Sequence, residues 1–390
     1  VCTETVLPGT WSERRNRVHL RTFNSRNLTP GFSTTLAVTK VNRAESVGTT
    51  SSDYRNDSLP VKEIKELLAD YKDPIAWIYW TDYLAFVALG FSTLISSVLL
   101  TKPWLSTLSL LISLLSFYRA LGFIHETVHQ KNRRFMKRFV PVWNIVSGSL
   151  FFVITFYYQC HLHHHSRLHY GTLSDPQYAN FIERKPPVLF FLVVQSVLAP
   201  VFFAVRALII APLSLLVPST RPFVLRYLSS FAQPGYAARY SRKDERQIAR
   251  YEIAQLLIWA GIFLAFYLGY IDQRFALHWL FILFGLFALN SFRILGEHRY
   301  DYGNLDQRRS PEEVFFDSYN YTPLISELLY TTGLRYHALH HLVASIPYHN
   351  LPKAHRTIVD KMGSGSAYAS VSSTSHLKNV YALLRRTQTS

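Results

Sequence analysis

The sequence predicts an all-α integral membrane protein, with four transmembrane helices in two hairpins and a cytoplasmic helical cap that carries clustered histidines. Three observations lead to this fold class. Four apolar runs are long enough to span a bilayer, and the loops beside them are rich in lysine and arginine. The third observation is that most of the histidines lie where an apolar run ends.

Polar segments flank one membrane domain. Residues 1–60 are rich in Ser, Thr, Arg and Asn and have no apolar leader, so we expect a disordered N-terminal tail without a signal peptide. A short amphipathic helix is predicted over 61–73, and the membrane domain over 74–361. Residues 362–390 begin with a Ser-rich stretch, which favours a flexible C-terminal tail.

The four predicted spans form two pairs of close neighbours, 75–100 with 104–124 and 253–270 with 275–296. A hairpin returns the chain to the side from which it entered. A run of basic residues at 131–138 follows the first hairpin, and the basic loop 218–250 precedes the second. Because basic loops favour the cytoplasm, we expect the histidines that follow each hairpin to be cytoplasmic.

Two further apolar runs do not fit as simple spans. A full crossing by 139–158 would place the second histidine stretch on the opposite side from the first. The run 187–217 is interrupted by Pro200 and Pro212, carries Arg206, and has cytoplasmic sequence on both sides. It is therefore predicted to be a re-entrant or interfacial element.

The formal net charge of +16 comes mainly from loops beside apolar runs, which suits contact with anionic lipid headgroups. The bilayer is therefore the expected partner of this charge, and no nucleic-acid partner is expected. Only two cysteines are present, Cys2 and Cys160, so the sequence does not indicate a disulfide framework.

Eight histidines recur at spacings of three or four residues, which place them on single helix faces, and a ninth stands alone. An H-x-x-x-H pair follows the first hairpin, H-x-x-H-H occurs twice, and one further histidine follows the second hairpin. Neutral imidazole is a good ligand for iron, zinc, copper and nickel. Zinc sites use three or four ligands, so nine candidates indicate two metals. The candidates are His125, His129, His161, His164, His165, His298, His337, His340 and His341.

The first histidine stretch permits a second interpretation. His125-Glu126-x-x-His129 also matches the H-E-x-x-H motif of zinc metalloproteases, in which Glu126 would act as general base. An intramembrane zinc protease is thus an alternative function. It leaves both H-x-x-H-H stretches unexplained.

With these three histidine boxes, the chain resembles the membrane fatty acid desaturase superfamily over residues 74–361. The resemblance implies two iron ions held by the nine histidines, with His298 as the extra ligand after the fourth span. It also implies dioxygen as co-substrate and electrons from a separate donor, a ferredoxin or a cytochrome b5-type protein, since the sequence contains no His-Pro-Gly-Gly haem motif. One departure is Ile294, where stearoyl-CoA-type members have asparagine; Asn290 lies one turn earlier.

A lipid acyl chain is the substrate that this chemistry indicates, because alkyl C–H bonds are beyond acid–base side chains and redox-inert zinc. The first interpretation is a fatty acid desaturase, and the alternative is a lipid or carotenoid hydroxylase or ketolase of the same superfamily. A non-enzymatic metal carrier would not need nine fixed ligands. Four carboxylates are candidates for orienting the ligand imidazoles: Glu126, Asp175, Glu297 and Asp317. Four histidines are left for other roles: His163, His169, His349 and His355.

Overall fold

The computed structural model describes residues 59–172, 174–179, 181, 187–233, 235–302 and 308–389. The predicted N-terminal tail, 1–60, lies outside them except for its last two residues. The described part is mainly helical, and its helices are α1 (Val61–Leu67), α2 (Ala76–Leu99), α3 (Pro103–His129), α4 (Met136–Trp143), α5 (His161–His164), α6 (Val188–Leu216), α7 (Arg221–Tyr227), α8 (Arg242–Tyr267), α9 (Gln273–Ile294), α10 (Pro311–Phe316), α11 (His337–Leu342), α12 (Leu351–Met362) and α13 (His376–Thr389). Short 3-10 turns occur at Ala69–Tyr71, Thr155–Tyr158, Pro218–Thr220, Leu324–Leu328 and Ala369–Val371.

Five of these helices are long and apolar enough to cross a membrane: α2, α3, α6, α8 and α9. Four of the five, α2, α3, α8 and α9, coincide with the spans predicted from the sequence. Helices α2 and α3 pack along each other, and α9 packs against both. Leucines and isoleucines on the outer face of α2 are exposed, as expected where lipid replaces water as the solvent.

Residues 188–216 form one continuous helix of spanning length, α6, although the sequence is interrupted by Pro200 and Pro212. Its two prolines are accommodated by wider π-helical turns at Val194–Leu198 and Arg206–Ile210. The proline ring normally meets the carbonyl four residues earlier, here that of Ser196 or Leu208. Both carbonyls lie inside a π turn, where the helix is locally widened.

The apolar run 139–158 is divided into short pieces, as its exclusion from the predicted spans requires. Helix α4 is followed by a π turn at Asn144–Gly148, an extended stretch and the 3-10 turn Thr155–Tyr158. Asn144 holds the extended stretch, since its side chain accepts from the Thr155 amide at 2.8 Å and donates to the Thr155 hydroxyl at 3.0 Å. The 3-10 turn Thr155–Tyr158 leads into α5, which carries the second histidine box.

The main core lies between the two hairpins and below the histidines. Phe117 of α3, Phe151, Phe152 and Trp259 of α8 are buried there, with Leu286 of α9. The indole of Trp259 stacks on the Phe152 ring and donates to the Ser149 carbonyl at 2.9 Å. This packing fixes the helix ends from which the histidines project.

The C-terminal segment, predicted to be a flexible tail, is structured up to residue 389. Strand β2 (Ser372–Ser373) pairs in parallel with β1 (Asn320–Tyr321), and α13 follows it. Val380 and Leu383, three residues apart on one helical face, are buried in a cluster with Tyr170 and Tyr178. The Ser-rich start of the segment obscured this amphipathic helix.

Candidate metal centre

All nine predicted ligand histidines converge, in two adjacent groups. In each group, every histidine places one ring nitrogen within 4.8 Å of the corresponding nitrogens of the others. The five-histidine group contains His125, His129, His161, His165 and His340, and the four-histidine group contains His164, His298, His337 and His341. The rings of His165 and His341 stack with 4.3 Å between their centroids, so the two groups are in direct contact.

Helix pitch places three of the histidine pairs. His125 and His129 at the end of α3, His161 and His165 around α5, and His337 and His341 of α11 are each four residues apart, so each pair occupies one face. Short backbone pairings then align the segments. His298 pairs with Ser318, and Asn320 pairs with Tyr336, the residue before α11.

The Nε2 atoms face one another at short distances. His165 Nε2 is 3.0 Å from His161 Nε2 and 3.2 Å from His340 Nε2, which is 3.2 Å from His129 Nε2. In the second group, His337 Nε2 is 3.1 Å from the Nε2 atoms of both His298 and His341. Two imidazole nitrogens bound at right angles, each about 2.0–2.1 Å from one ion, would be about 3 Å apart.

His161 and His164 show which ring nitrogen carries the proton. His161 Nδ1 lies 2.6 Å from Gln177 Oε1, and the Gln177 amide orientation is fixed because its Nε2 donates to the Phe231 carbonyl at 3.1 Å. His164 Nδ1 lies 3.0 Å from an oxygen of Asp175. Both rings therefore donate from Nδ1 and direct an Nε2 lone pair into the site.

Asp175 is itself held by backbone donors. Its oxygens accept from the amides of Gly171 at 3.0 Å and Gln177 at 2.9 Å. Gly171 has φ +67°, and a Cβ there would lie 2.9 Å from Cβ of Tyr302, so this turn requires glycine. These hydrogen bonds and His164 lower the pKa of Asp175 despite its burial.

A cluster of tyrosines orients His298. Its Nδ1 lies 2.9 Å from the Tyr170 hydroxyl and 3.1 Å from the Ser318 hydroxyl, with the Asp317 carboxylate at 3.9 Å. Tyr170 and Tyr178 both donate to Asp317, at 2.7 and 2.9 Å. Burial, reinforced by Asp301, raises the pKa of Asp317 to about 7.

The two glutamates proposed to orient imidazoles lie slightly beyond hydrogen-bond range. Glu126 Oε1 is 3.7 Å from His125 Nδ1, and Glu297 Oε1 is 3.8 Å from His337 Nδ1. Glu126 Oε2 instead accepts from the Tyr79 hydroxyl at 2.5 Å and the Tyr348 amide at 3.2 Å. The Glu126 carboxylate is thus hydrogen-bonded to Tyr79 of α2 and to Tyr348. A zinc protease would require this carboxylate to be free to activate a water.

The environment keeps the imidazoles of His161, His165, His340 and His341 neutral. Burial, together with His164, lowers the pKa of His161 to about 3, and burial with neighbouring histidines holds the pKa of His165, His340 and His341 well below the usual value. Neutral imidazoles whose lone pairs point at one another repel unless a cation lies between them. Both ring nitrogens of the buried His125 also lack a hydrogen-bond partner among the described residues. The residues therefore fit a pair of metal ions.

The four histidines that the sequence left for other roles lie outside both groups. His163 is exposed and its Nδ1 lies 3.1 Å from the Tyr236 hydroxyl, with His169 stacked on its ring. His349 Nε2 accepts from the Ile75 amide at 3.1 Å, and His355 Nδ1 lies 2.9 Å from the Tyr368 hydroxyl. Asn290 accepts from Arg293 at 2.9 Å.

Sequence reasoning missed Gln177, Tyr170 and Ser318 as partners of the histidines. Gln177 lies two residues after Asp175, a position from which its amide could have been suspected. Tyr170 and Ser318 carry no such signal, because they reach His298 only through the three-dimensional packing of distant loops.

Comparison with known proteins agrees with this geometry. Residues 102–372 match the fatty acid desaturase family model, so the chain belongs to the fatty acid desaturase family. It is also similar to a ceramide hydroxylase from Caulobacter vibrioides (strain NA1000 / CB15N), with 31% identity over 329 residues, which cover 83% of this chain and 93% of the relative.

Proposed function

We propose that this protein is an oxygen-dependent di-iron oxidoreductase of lipid acyl chains. The observation that carries the proposal is the convergence of nine histidines into groups of five and four with facing Nε2 atoms. Imidazole suits several transition metals, of which iron and copper carry dioxygen chemistry, and the match to the fatty acid desaturase family favours iron. When bound, a reduced iron pair would activate dioxygen, which supplies the oxidising power needed to attack an unactivated C–H bond.

The chain's own residues prepare this site in three ways. Asp175, Gln177 and Tyr170 hold protons at Nδ1, so that Nε2 of their histidine partners is free to bind. Burial of most of the rings excludes bulk water from the reacting region. The core of the two hairpins supports the helix ends, so the ligand positions are fixed before any metal binds.

We further propose hydroxylation of a ceramide-type lipid as the reaction. Support comes from the ceramide hydroxylase relative, whose similarity covers 83% of this chain. In hydroxylation, one C–H bond becomes C–OH, while dioxygen with two electrons and two protons supplies that oxygen and one water. The electrons would come from a separate ferredoxin or cytochrome b5-type donor.

Desaturation, the first interpretation of the sequence, is the second candidate, supported by the family description. There the same dioxygen, electrons and protons yield two waters, and two neighbouring C–H bonds are replaced by a double bond. The two reactions share the first hydrogen removal and differ in whether the carbon then gains oxygen or loses a second hydrogen.

For topology, we propose four full crossings with the histidines on the cytoplasmic side. Both flanks of α6 support this arrangement. Val188, its first residue, packs in one cluster with Leu295, beyond the end of α9. After α6 the chain returns to the second histidine box, where the Phe231 amide donates to the Tyr157 carbonyl at 2.8 Å. The chain on both sides of α6 therefore lies at the level of the histidines. We infer that α6 lies along or within one leaflet and does not cross the bilayer.

The central experiment compares two adjacent histidines. Purified protein in lipid, loaded with iron, is supplied with an electron donor, dioxygen and either a ceramide or a phospholipid of the same acyl composition. Mass spectrometry then distinguishes the gain of one oxygen atom from the loss of two hydrogen atoms. We expect oxygen gain on ceramide, abolished in His164→Ala and retained in His163→Ala, whose ring lies outside both groups.

The outcomes separate the proposals. Loss of hydrogen without oxygen gain would establish desaturation instead, and turnover of the phospholipid alone would overturn the ceramide assignment. A protein that contains one zinc and no iron, and consumes no dioxygen, would overturn the di-iron assignment. For topology, reporter tags at 239–246 should be cytoplasmic and a tag between α8 and α9 should not; a cytoplasmic signal from both would contradict the two-hairpin arrangement.

A further inference from the structure

The segment that precedes the third histidine box carries an unusual set of exposed apolar side chains. Leu324 is 78% exposed, Ile325 71% and Leu328 50%, all in the 3-10 turn Leu324–Leu328. This turn belongs to none of the five helices of spanning length. Contiguous exposed apolar surface of this kind marks a contact with another molecule or with a membrane.

Two neighbouring residues of α3 fix the depth of this turn. Arg119 Nη1 donates to Glu327 at 3.1 Å, and the Tyr118 hydroxyl donates to the Leu329 carbonyl at 3.0 Å. Arg119 also forms a two-pronged ion pair with Asp82 of α2, at 2.9 and 2.6 Å. At 1.5 Å per residue, Arg119 lies about 9 Å along α3 from His125, towards the far end of the hairpin.

The aromatic residues of α2 mark where the bilayer surface lies. Trp77 is 67% exposed near the start of α2, a position typical of tryptophan at the membrane interface. Asp82, five residues further along α2, is about 7–8 Å deeper. Arg119 binds both Asp82 and Glu327. The turn Leu324–Leu328 therefore lies at or below the membrane depth of Trp77, on the bilayer side of the histidines.

The apolar surface continues onto α13. Leu377 is 67% exposed and Tyr381 60%, one turn apart on the same face. The start of α13 is tied to this level, because His376 Nδ1 lies 2.6 Å from the Tyr330 hydroxyl and its ring contacts Phe292 near the end of α9. The exposed Lys378 lies beside Leu377, where its ammonium can reach lipid headgroups.

We propose that Leu324, Ile325, Leu328, Leu377 and Tyr381 form an apolar patch that inserts into the cytoplasmic leaflet as a non-spanning membrane contact. The occupant is lipid rather than a soluble protein, because the patch is continuous in depth with the lipid-facing surface of α2. An interfacial element of this kind buries its apolar face about 5–10 Å into the headgroup and acyl boundary. The inference does not depend on the reaction, since it concerns the resting protein.

Depth can be measured with single cysteines on a Cys2→Ser background, in which the remaining Cys160 is buried. Ile325→Cys and Leu377→Cys are labelled with an environment-sensitive fluorophore and reconstituted without reductant into vesicles that contain anionic lipid. Ile95→Cys, on the exposed face of α2, is the bilayer control, and Asp360→Cys, exposed on α12, is the aqueous control. Lipid-borne nitroxides at two depths and aqueous iodide serve as quenchers.

We expect the labels at 325 and 377 to be quenched most by the shallow nitroxide and only weakly by iodide. The label at 95 should respond most to the deep nitroxide, and the label at 360 to iodide. Strong iodide quenching at 325 and 377, without nitroxide quenching, would overturn the proposal. Protection from both quenchers, with a mass shift to a dimer, would also overturn it in favour of a second copy. Because no product is measured, either result leaves the proposed reaction to be judged separately.

Discussion

The two histidine groups are built in different ways. The five-histidine group consists of two pairs four residues apart, His125 with His129 and His161 with His165, plus His340. The four-histidine group has one such pair, His337 with His341, and two single members, His164 and His298. Helix pitch orients paired rings together, whereas a single ring needs its own restraint.

The restraints follow that division. His164 is hydrogen-bonded to Asp175, and His298 to Tyr170 and Ser318, with the buried Asp317 behind them. In the five-histidine group, the one hydrogen bond to a non-histidine side chain among described residues is that of His161 with Gln177, which is neutral. We therefore expect the four-histidine group to depend more on charged partners, and the five-histidine group more on its helices.

The largest effect should come from removing one ligand in either group. We expect His164→Ala and His340→Ala each to abolish turnover, while iron content falls from about two per chain to about one, because each group would hold its own ion under the proposed function. Metal analysis and a product assay on the same samples check this. Loss of both irons from either variant would show that the two groups bind iron as one unit. The structural difference between the groups would then not affect iron binding.

The next effect separates charged from neutral orienting groups. Asp175→Asn should weaken iron retention or activity about 10- to 100-fold, the usual range for a carboxylate that orients a ligand histidine. Gln177→Leu should cost less, about two- to tenfold, because it removes a hydrogen bond between neutral groups. Iron retention against a chelator and turnover measure both. A larger loss in Gln177→Leu than in Asp175→Asn would reverse the comparison.

A smaller effect is expected at Tyr170. Tyr170→Phe removes the hydroxyl that joins His298 to Asp317, but Ser318 still contacts Nδ1, so we expect only about a two- to fivefold faster loss of iron from the four-histidine group. Tyr236→Phe is the matched control, because its hydroxyl contacts His163 outside both groups. Equal iron loss in the two variants would mean that the Tyr170 hydroxyl does not orient His298.

The features that could be predicted from the sequence are those set by the length of an apolar run or by regular residue spacing. The four spans of α2, α3, α8 and α9 follow from apolar length, and eight of the converging histidines from spacings of three and four, whereas the ninth, His298, was expected only from the family resemblance. The sequence was insufficient where distant segments meet. Tyr170 reaches His298 across 128 residues, and β1 pairs with β2 across 52. The continuity of α6 could not be predicted, because π turns accommodate its prolines, a local geometry that composition does not reveal.

The smallest effect on total turnover should come from residues one turn before a ligand, which test which group faces the reacting carbon. Phe117, eight residues before His125, packs closely against Gly90 of α2, because a Cβ added to Gly90 would lie 3.0 Å from the Phe117 ring. Leu121 and Ile294 are half-buried, four residues before His125 and His298. We expect Leu121→Trp to shift the accepted chain length or the position of oxidation, and Ile294→Trp to shift it less, if the five-histidine group lies nearer the substrate. Product analysis and protein level in the membrane measure both variants. Overpacking typically destabilises by about 1–3 kcal/mol, so reduced protein with an unchanged product pattern would place Leu121 in the packing between spans.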